Sequence, residues 1–219
     1  MKFILFLVLI NSFLAVASAS GALEQDFLFE TERLRAYSAS ELRIEEMASL
    51  LNQKSVEGHL NGKYYEDGLE KTLDWISHMK QQVLEKKFST CLFFYNKKNL
   101  SALSCFVGRE PRFKFPTIHR LFYATSLQDQ NQGITSEAIK GFFKFFLSDK
   151  ECEALELSIH PDNASSLKIA TNTIGASLSG KASNATGSQA REIYSIVQQD
   201  LDAKIQTYPE VTLPAKKSL

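Results

Sequence analysis

The 219-residue chain has little with which to cross-link itself or hold a metal: three cysteines, four histidines and one tryptophan. Cys91, Cys105 and Cys152 match no zinc-ligand spacing, and an odd number of thiols cannot pair completely. That excludes a zinc module and a fully bonded disulfide framework, and small buried side chains are their ordinary role. Net charge is missing too. Lys+Arg and Asp+Glu are 25 each, so no global field draws the chain to nucleic acid or to an anionic membrane. The basic pairs Lys86-Lys87, Lys97-Lys98 and Lys216-Lys217 are too short to alter this, and any charged ligand needs a local site. No internal repeat or low-complexity tract occurs. What is present, 44% hydrophobic and 23% charged residues, suits one globular domain with a sizeable core.

The first residues depart from that average. Met1-Lys2 is followed by the apolar run Phe3 to Ile10, by Asn11-Ser12, and by Phe13 to Ala17, with Ala17-Ser18-Ala19 closing it. A positive start, an apolar stretch of about 15 residues and an A-x-A site describe a secretory signal peptide. The run is shorter than the roughly 20 residues a spanning helix needs. Residues 1–19 are therefore expected to be removed after Ala19 and the chain exported, periplasmic or secreted. An uncleaved anchor or a misplaced start codon are the alternatives, the latter leaving the protein cytoplasmic.

Periodicity orders the rest. Residues 27–36 read as a strand, and Ser40 offers a cap to a helix with Leu42, Ile44, Met47, Leu50 and Leu51 on one stripe. A polar stretch carrying Gly58, Gly62 and Gly68 precedes a second helix with Leu69, Leu73, Ile76, Met79 and Val83. Three β-rich segments follow, 90–95, 100–107 and 117–127, separated by Lys97-Lys98-Asn99 and Glu110-Pro111-Arg112. A hairpin at the first of these turns would set Cys91 opposite Cys105. Residues 136–147 are helical, 154–159 a strand, 164–174 a helix, and 177–180 and 192–197 the last strands. The domain is expected over 27–199, and 200–219, polar with Pro209 and Pro214, as a loosely attached tail. This order mixes antiparallel hairpins with one β-loop-α-β crossover, a mixed α/β (α+β) fold with its ligand expected at the crossover.

Gln130-Asn131-Gln132-Gly133-Ile134-Thr135-Ser136-Glu137-Ala138 lies at that crossover. A strand entering a polar loop and then a helix start gathers free backbone N–H groups at the positive end of a helix dipole, an anion site needing no lysine. Gly133 permits close backbone approach, and the Thr135 and Ser136 hydroxyls can add donors.

The segment resembles the acetyl-CoA pyrophosphate loop of GNAT N-acetyltransferases, [RQ]-x-x-G-x-[GA], with Gln130 and Gly133 in the fixed positions. Ser136-Glu137-Ala138 resembles the T-E-A that opens the next helix in the branch acetylating ribosomal-protein N-termini. Glu30-Thr31-Glu32-Arg33-Leu34 resembles that branch's T-E-R-L strand. Leu155 to Asn163, with Ser166 and Gly175 beyond, resembles its P-x-N-x-x-S segment. The resemblance implies a mostly antiparallel sheet flanked by helices, with a splayed central strand pair, 117–127 and 154–160, holding the pantetheine arm. It implies acetyl-CoA as co-substrate, bound by Leu127 at the strand end, by Gln132, Gly133, Ile134, Thr135 and Ser136 through the loop amides, and by Asn163. The acceptor is a primary amine, possibly a protein or peptide N-terminus. Ser166 would lie beside the departing thiolate. Glu156, which shares a strand face with Ser158 and His160 next to a strand carrying His119, is the candidate base. The chain departs from the family in four respects. Thr135 replaces a small residue, Asn131 stands where the branch often has a second glycine, the Asn163-to-Gly175 interval is one residue longer, and no tyrosine occupies the helix position used as acid. The second reading is an exported GNAT-fold binding protein with degenerate catalytic machinery.

Overall fold

In the computed structural model, the described residues are 26–39, 41–51, 91–112, 114–146, 152–183 and 190–214, with the single positions Ser77 and Gln81. The expected export segment, the glycine-bearing stretch and nearly all of the expected second helix lie outside them.

The elements in chain order are β1 (Phe27–Glu30), β2 (Leu34–Tyr37), α1 (Glu41–Leu51), β3 (Cys91–Asn96), β4 (Asn99–Arg112) and β5 (Phe115–Thr125). Then come α2 (Ile134–Phe145), β6 (Ala154–Ile159), α3 (Ala164–Lys168, continuing as a π-helix over Ile169–Ile174), β7 (Ser177–Ser183), β8 (Ala190–Val197) and α4 (Gln198–Gln206). The eight strands form one sheet in the order β1-β2-β3-β4-β5-β6-β8-β7. Every neighbouring pair is antiparallel except β5 and β6. The mixed, mostly antiparallel sheet read from the sequence is the one observed.

Both faces of the sheet are covered, which explains why β3, Cys-Leu-Phe-Phe-Tyr-Asn, reads as an unbroken apolar run. Its residues divide by parity. Leu92 and Phe94 join the core shared with α2, α3 and α4, while Cys91, Phe93 and Tyr95 join the core under α1.

Four sequence expectations are corrected. The expected strand 27–36 is two strands, because the chain reverses at Thr31, whose N–H donates to the Leu34 carbonyl at 3.0 Å. Cys91 does not face Cys105. The β3–β4 turn is two residues long and the register slips twice, so Cys91 pairs with Gly108 and Cys105 with Phe94; all three thiols are free and buried. Nor is the stretch from Leu201 to Thr212 loose. Leu201, Ile205 and Tyr208, at helical spacing, enter the main core, and Thr212 and Glu30 exchange backbone hydrogen bonds at 2.8 Å. The Pro111 turn also moves, since β4 runs through it to Arg112.

Gly141 sets how closely α2 approaches β1. A Cβ there would stand 2.8 Å from Thr31 Cγ2 and 3.0 Å from Phe29 Cε2, so the absent side chain lets the helix lie against the first hairpin.

Candidate active site

β5 and β6 pair at only three positions, Ile118 with Ala154, His119 with Leu155 and Arg120 with Glu156. Beyond them β5 stays bonded to β4 from Leu121 to Thr125, and β6 stays bonded to β8 from Leu157 to Ile159. The two half-sheets part, and facing strand edges with unpaired backbone groups line the gap. Such edges can accept an extended ligand as an added strand. The splayed pair expected from sequence is present.

The start of α2 stands after β5, where that strand ends. Gly133 adopts φ 77°, the left-handed conformation that glycine takes without penalty, and caps the helix. The first helical bond runs from Glu137 N–H to Gly133 C=O at 3.1 Å, so the N–H groups of Ile134, Thr135 and Ser136 have no partner within the helix. Ile134 is buried; Thr135 and Ser136 are partly exposed. Their hydroxyls are committed, Thr135 to Thr125 at 2.5 Å and Ser136 to Thr173 at 3.1 Å, so the α2 start is held between β5 and the π-helix. Binding there relies on the amides. The Gln132 side chain turns back to the Gln128 carbonyl at 2.6 Å. Leu127 lies beyond the end of β5, exposed at the start of a 3-10 turn, and is not part of the strand.

A carboxylate in the first turn of α2 would repel an anion, yet Glu137 occupies that turn. Its charge is taken up by the β1–β2 turn: Thr31 Oγ1 donates to it at 2.5 Å, Arg33 N–H at 2.7 Å and Arg33 Nε at 2.5 Å. Burial alone would raise the Glu137 pKa, but these bonds together hold it below the usual carboxylate value. Arg33 Nη1 also donates to the Gln132 carbonyl at 2.8 Å, and Nη2 lies 3.5 Å from where a Gly133 Cβ would be. Arg33 thus brings a cation to the loop, a role its strand motif did not disclose.

On the other side of the gap Asn163 caps α3, its side-chain oxygen accepting from Ser166 N–H at 3.0 Å. The longer interval before Gly175 is absorbed by the π-helix, whose wider turn accommodates an inserted residue. Across from α3, on the parted stretch of β5, stands Tyr123. Its hydroxyl is buried with no hydrogen-bond partner in bonding geometry, and Ser166 is the side chain near enough to affect its ionisation. Burial pushes the phenol up to about 12, with Ser166 moderating the rise. Aromatic content alone could not single out Tyr123, because β5 has apolar neighbours on both faces.

The even-numbered face of β6 carries Glu156 and Ser158, and His160 follows the end of the strand. Arg112 Nη1 bonds both Glu156 oxygens, at 2.9 and 3.2 Å. Arg191 of β8 donates Nε to Ser158 Oγ at 3.1 Å and Nη2 to the Ser158 carbonyl at 2.9 Å. His160 Nδ1 accepts from Asp162 N–H at 3.2 Å. His119 is buried on the paired part of β5, short of the gap.

No protein-family model matches the chain, and no curated protein matches it. Solved structures do. A ribosomal-protein alpha-N-acetyltransferase, RimL, in complex with coenzyme A superposes with TM-score 0.60 at 13% identity, over 78% of this chain and 97% of that one. The ribosomal-protein-S5-alanine acetyltransferase of Vibrio fischeri gives 0.61 at 14%, over 80% and 99%. The microcin C7 self-immunity acetyltransferase MccE, with acetyl-CoA and AMP, gives 0.57 at 18%, over 76% and 93%. The chain has the GNAT fold. The parted strands and the following helix start are thus set within a GNAT architecture that this chain shares over most of its length with acetyltransferases.

Proposed function

We propose that the protein is an N-acetyltransferase that moves an acetyl group from acetyl-CoA to a primary amine, with a peptide N-terminus as one candidate acceptor. The observation that carries this reading is the gap between β5 and β6 with the free amides of Ile134 to Ser136 at the start of the next helix. A pyrophosphate fits those amides, with Arg33 Nη2 as an added donor, and a pantetheine arm fits the unpaired edges. The fold neighbours solved with coenzyme A or acetyl-CoA support it.

In the transfer the amine nitrogen bonds to the thioester carbonyl carbon, the C–S bond breaks, and the proton lost by nitrogen balances the one gained by the thiol. Tyr123, on the parted stretch of β5, and Ser166, in α3, stand near one another beside the gap. Burial raises the pKa of the Tyr123 phenol, which disfavours full transfer of its proton to a departing thiolate. It can donate a hydrogen bond, and so can Ser166, to charge developing on sulfur or oxygen. Glu156 is the carboxylate at the point of parting and the candidate acceptor of the amine proton, although protonation there must displace a bond from Arg112.

Acetyl-CoA at 100 times its dissociation constant should stabilise the protein by about 2.7 kcal/mol. Mass spectrometry of a peptide library should then show a gain of one acetyl group. Absence of both effects would refute the proposal. N-terminal sequencing tests the export segment: a chain beginning near Ser20 supports it, and intact Met1 from a cytosolic fraction removes it.

A further inference from the structure

We infer that Arg191 binds a carboxylate carried by the acceptor, so that the amine acetylated belongs to an acidic molecule rather than a neutral one. The inference rests on the acetyltransferase reading and names the acceptor class for it.

Arg191 is 8% exposed, and among the described residues its side chain bonds to Ser158 alone, once to the hydroxyl and once to the carbonyl. Among the described residues no carboxylate lies within ion-pair distance of it. The acidic groups around it are otherwise engaged or apart. Glu156, on the same face, is held by Arg112; Glu192, adjacent in sequence but on the opposite face, accepts from the Tyr194 hydroxyl at 3.0 Å; Asp162 is exposed beside His160. Arginine keeps its proton in proteins, so this is a buried cation with no counter-charge among the described residues. A buried charge lacking a partner is costly, and a structure keeps one where a ligand completes it.

Its place in the fold says which ligand. Ser158 is exposed, so the face over it is open to solvent while the guanidinium behind it is not. Ser158 lies two residues beyond Glu156, where β5 and β6 last pair, or about 6.5 Å along the strand. An anion on Arg191 therefore sits a residue or so from an amine entering the gap. The α2 start, on the other face, already provides for phosphate. A planar guanidinium matches a carboxylate in a forked geometry.

The experiment uses matched pairs differing only in charge: peptides beginning Ser-Asp and Ser-Asn, and their N-acetylated forms as product probes. Calorimetry of the acetylated pair, which needs no turnover, should show the acidic probe binding at least 10-fold tighter. Acetylation of the free peptides should show a matching preference carried by KM. Arg191→Gln should abolish the preference in both assays, and Arg191→Lys should keep part of it, while the acetyl-CoA thermal shift stays unchanged. Equal binding of the acidic and amide probes, binding of neither, or a preference that survives in Arg191→Gln would overturn the inference. A variant that lowers the melting temperature but preserves the preference would show Arg191 to be only a tie between β6 and β8. Failure of the parent reading looks different, since acetyl-CoA would then give no thermal shift in any variant.

Discussion

Arg33 and Glu137, 104 residues apart in sequence, meet through Nε at 2.5 Å and through the Arg33 backbone N–H at 2.7 Å. One arginine therefore neutralises the acid in the first turn of α2 and, through the Gln132 carbonyl, braces the loop before it. Glu137→Gln should cost about 1.5–3 kcal/mol in urea unfolding at neutral pH, the usual loss for charged hydrogen bonds. The pH dependence follows from the lowered Glu137 pKa. A carboxyl held lower in the folded chain favours folding above its unfolded value and loses that contribution as pH falls through the folded one. Below pH about 4.5 the variant and the parent should converge in stability. A constant difference down to pH 3 would separate Glu137 from this role.

Gly133 ties conformation to ligand access. At φ 77° a β-branched residue is strained, and the amides beyond it form the proposed pyrophosphate site. Gly133→Ala should cost about 1 kcal/mol in stability with modest loss of acetyl-CoA affinity. Gly133→Val should lose most of that affinity in calorimetry, whereas Gln132→Ala, whose side chain only reaches back to Gln128, should bind nearly as well as the parent. Equal affinities for the parent and Gly133→Val would remove the pyrophosphate from this loop.

Much of the geometry around this candidate site is legible in the sequence because its marks are local. The strand–loop–helix pattern around Gly133 and the Pro161-to-Ser166 segment place backbone groups, and short-range rules govern backbone. The Glu30-to-Leu34 and Ser136-to-Ala138 motifs were visible separately, but nothing in the sequence joined them, since the contact depends on a turn at Thr31 and on Gly141 letting the helix approach. Tyr123 and Arg191 were missed for a similar reason. Each is ordinary on its strand and acquires meaning only from what the fold does, or does not, place beside it. Sequence cannot set Cys91 against Cys105 correctly, because one residue of register slip changes every partner, and the prolines of the tail mask the helical spacing of Leu201, Ile205 and Tyr208.

Alkaline titration tests the burial of particular phenols. Burial raises Tyr123 and Tyr208 to about 12, and Tyr95 higher still, with Glu46 adding to the rise. Groups raised in the folded state favour folding below their unfolded pKa of about 10 and lose that contribution as pH climbs toward 12. Absorbance of phenolate should therefore show Tyr95, Tyr123 and Tyr208 ionising late, together with the onset of unfolding. Tyr123→Phe should remove one late ionisation. Seven tyrosines titrating together near pH 10 in the folded protein would contradict the burial.

Ser166 and Tyr123 make the sharpest test of catalysis. Ser166 would be a structural residue if its hydroxyl capped α3, but the cap is Asn163, and Ser166 contributes only its backbone N–H to that bond. Asn163→Ala should accordingly lower stability by about 1 kcal/mol. Ser166→Ala should leave stability nearly unchanged and lower kcat on the order of 100-fold, with acetyl-CoA affinity intact, because a bond to developing charge matters only in the transition state. Tyr123→Phe removes a hydroxyl that has no partner in the resting protein, so it too should spare or slightly raise stability while lowering kcat. If the two hydroxyls serve one developing charge, the double variant should fall short of the product of the single losses. Independent, fully multiplicative losses would place them at separate points of the reaction. Full turnover in Ser166→Ala and in Tyr123→Phe would take both out of the chemistry and leave the gap as a binding cleft.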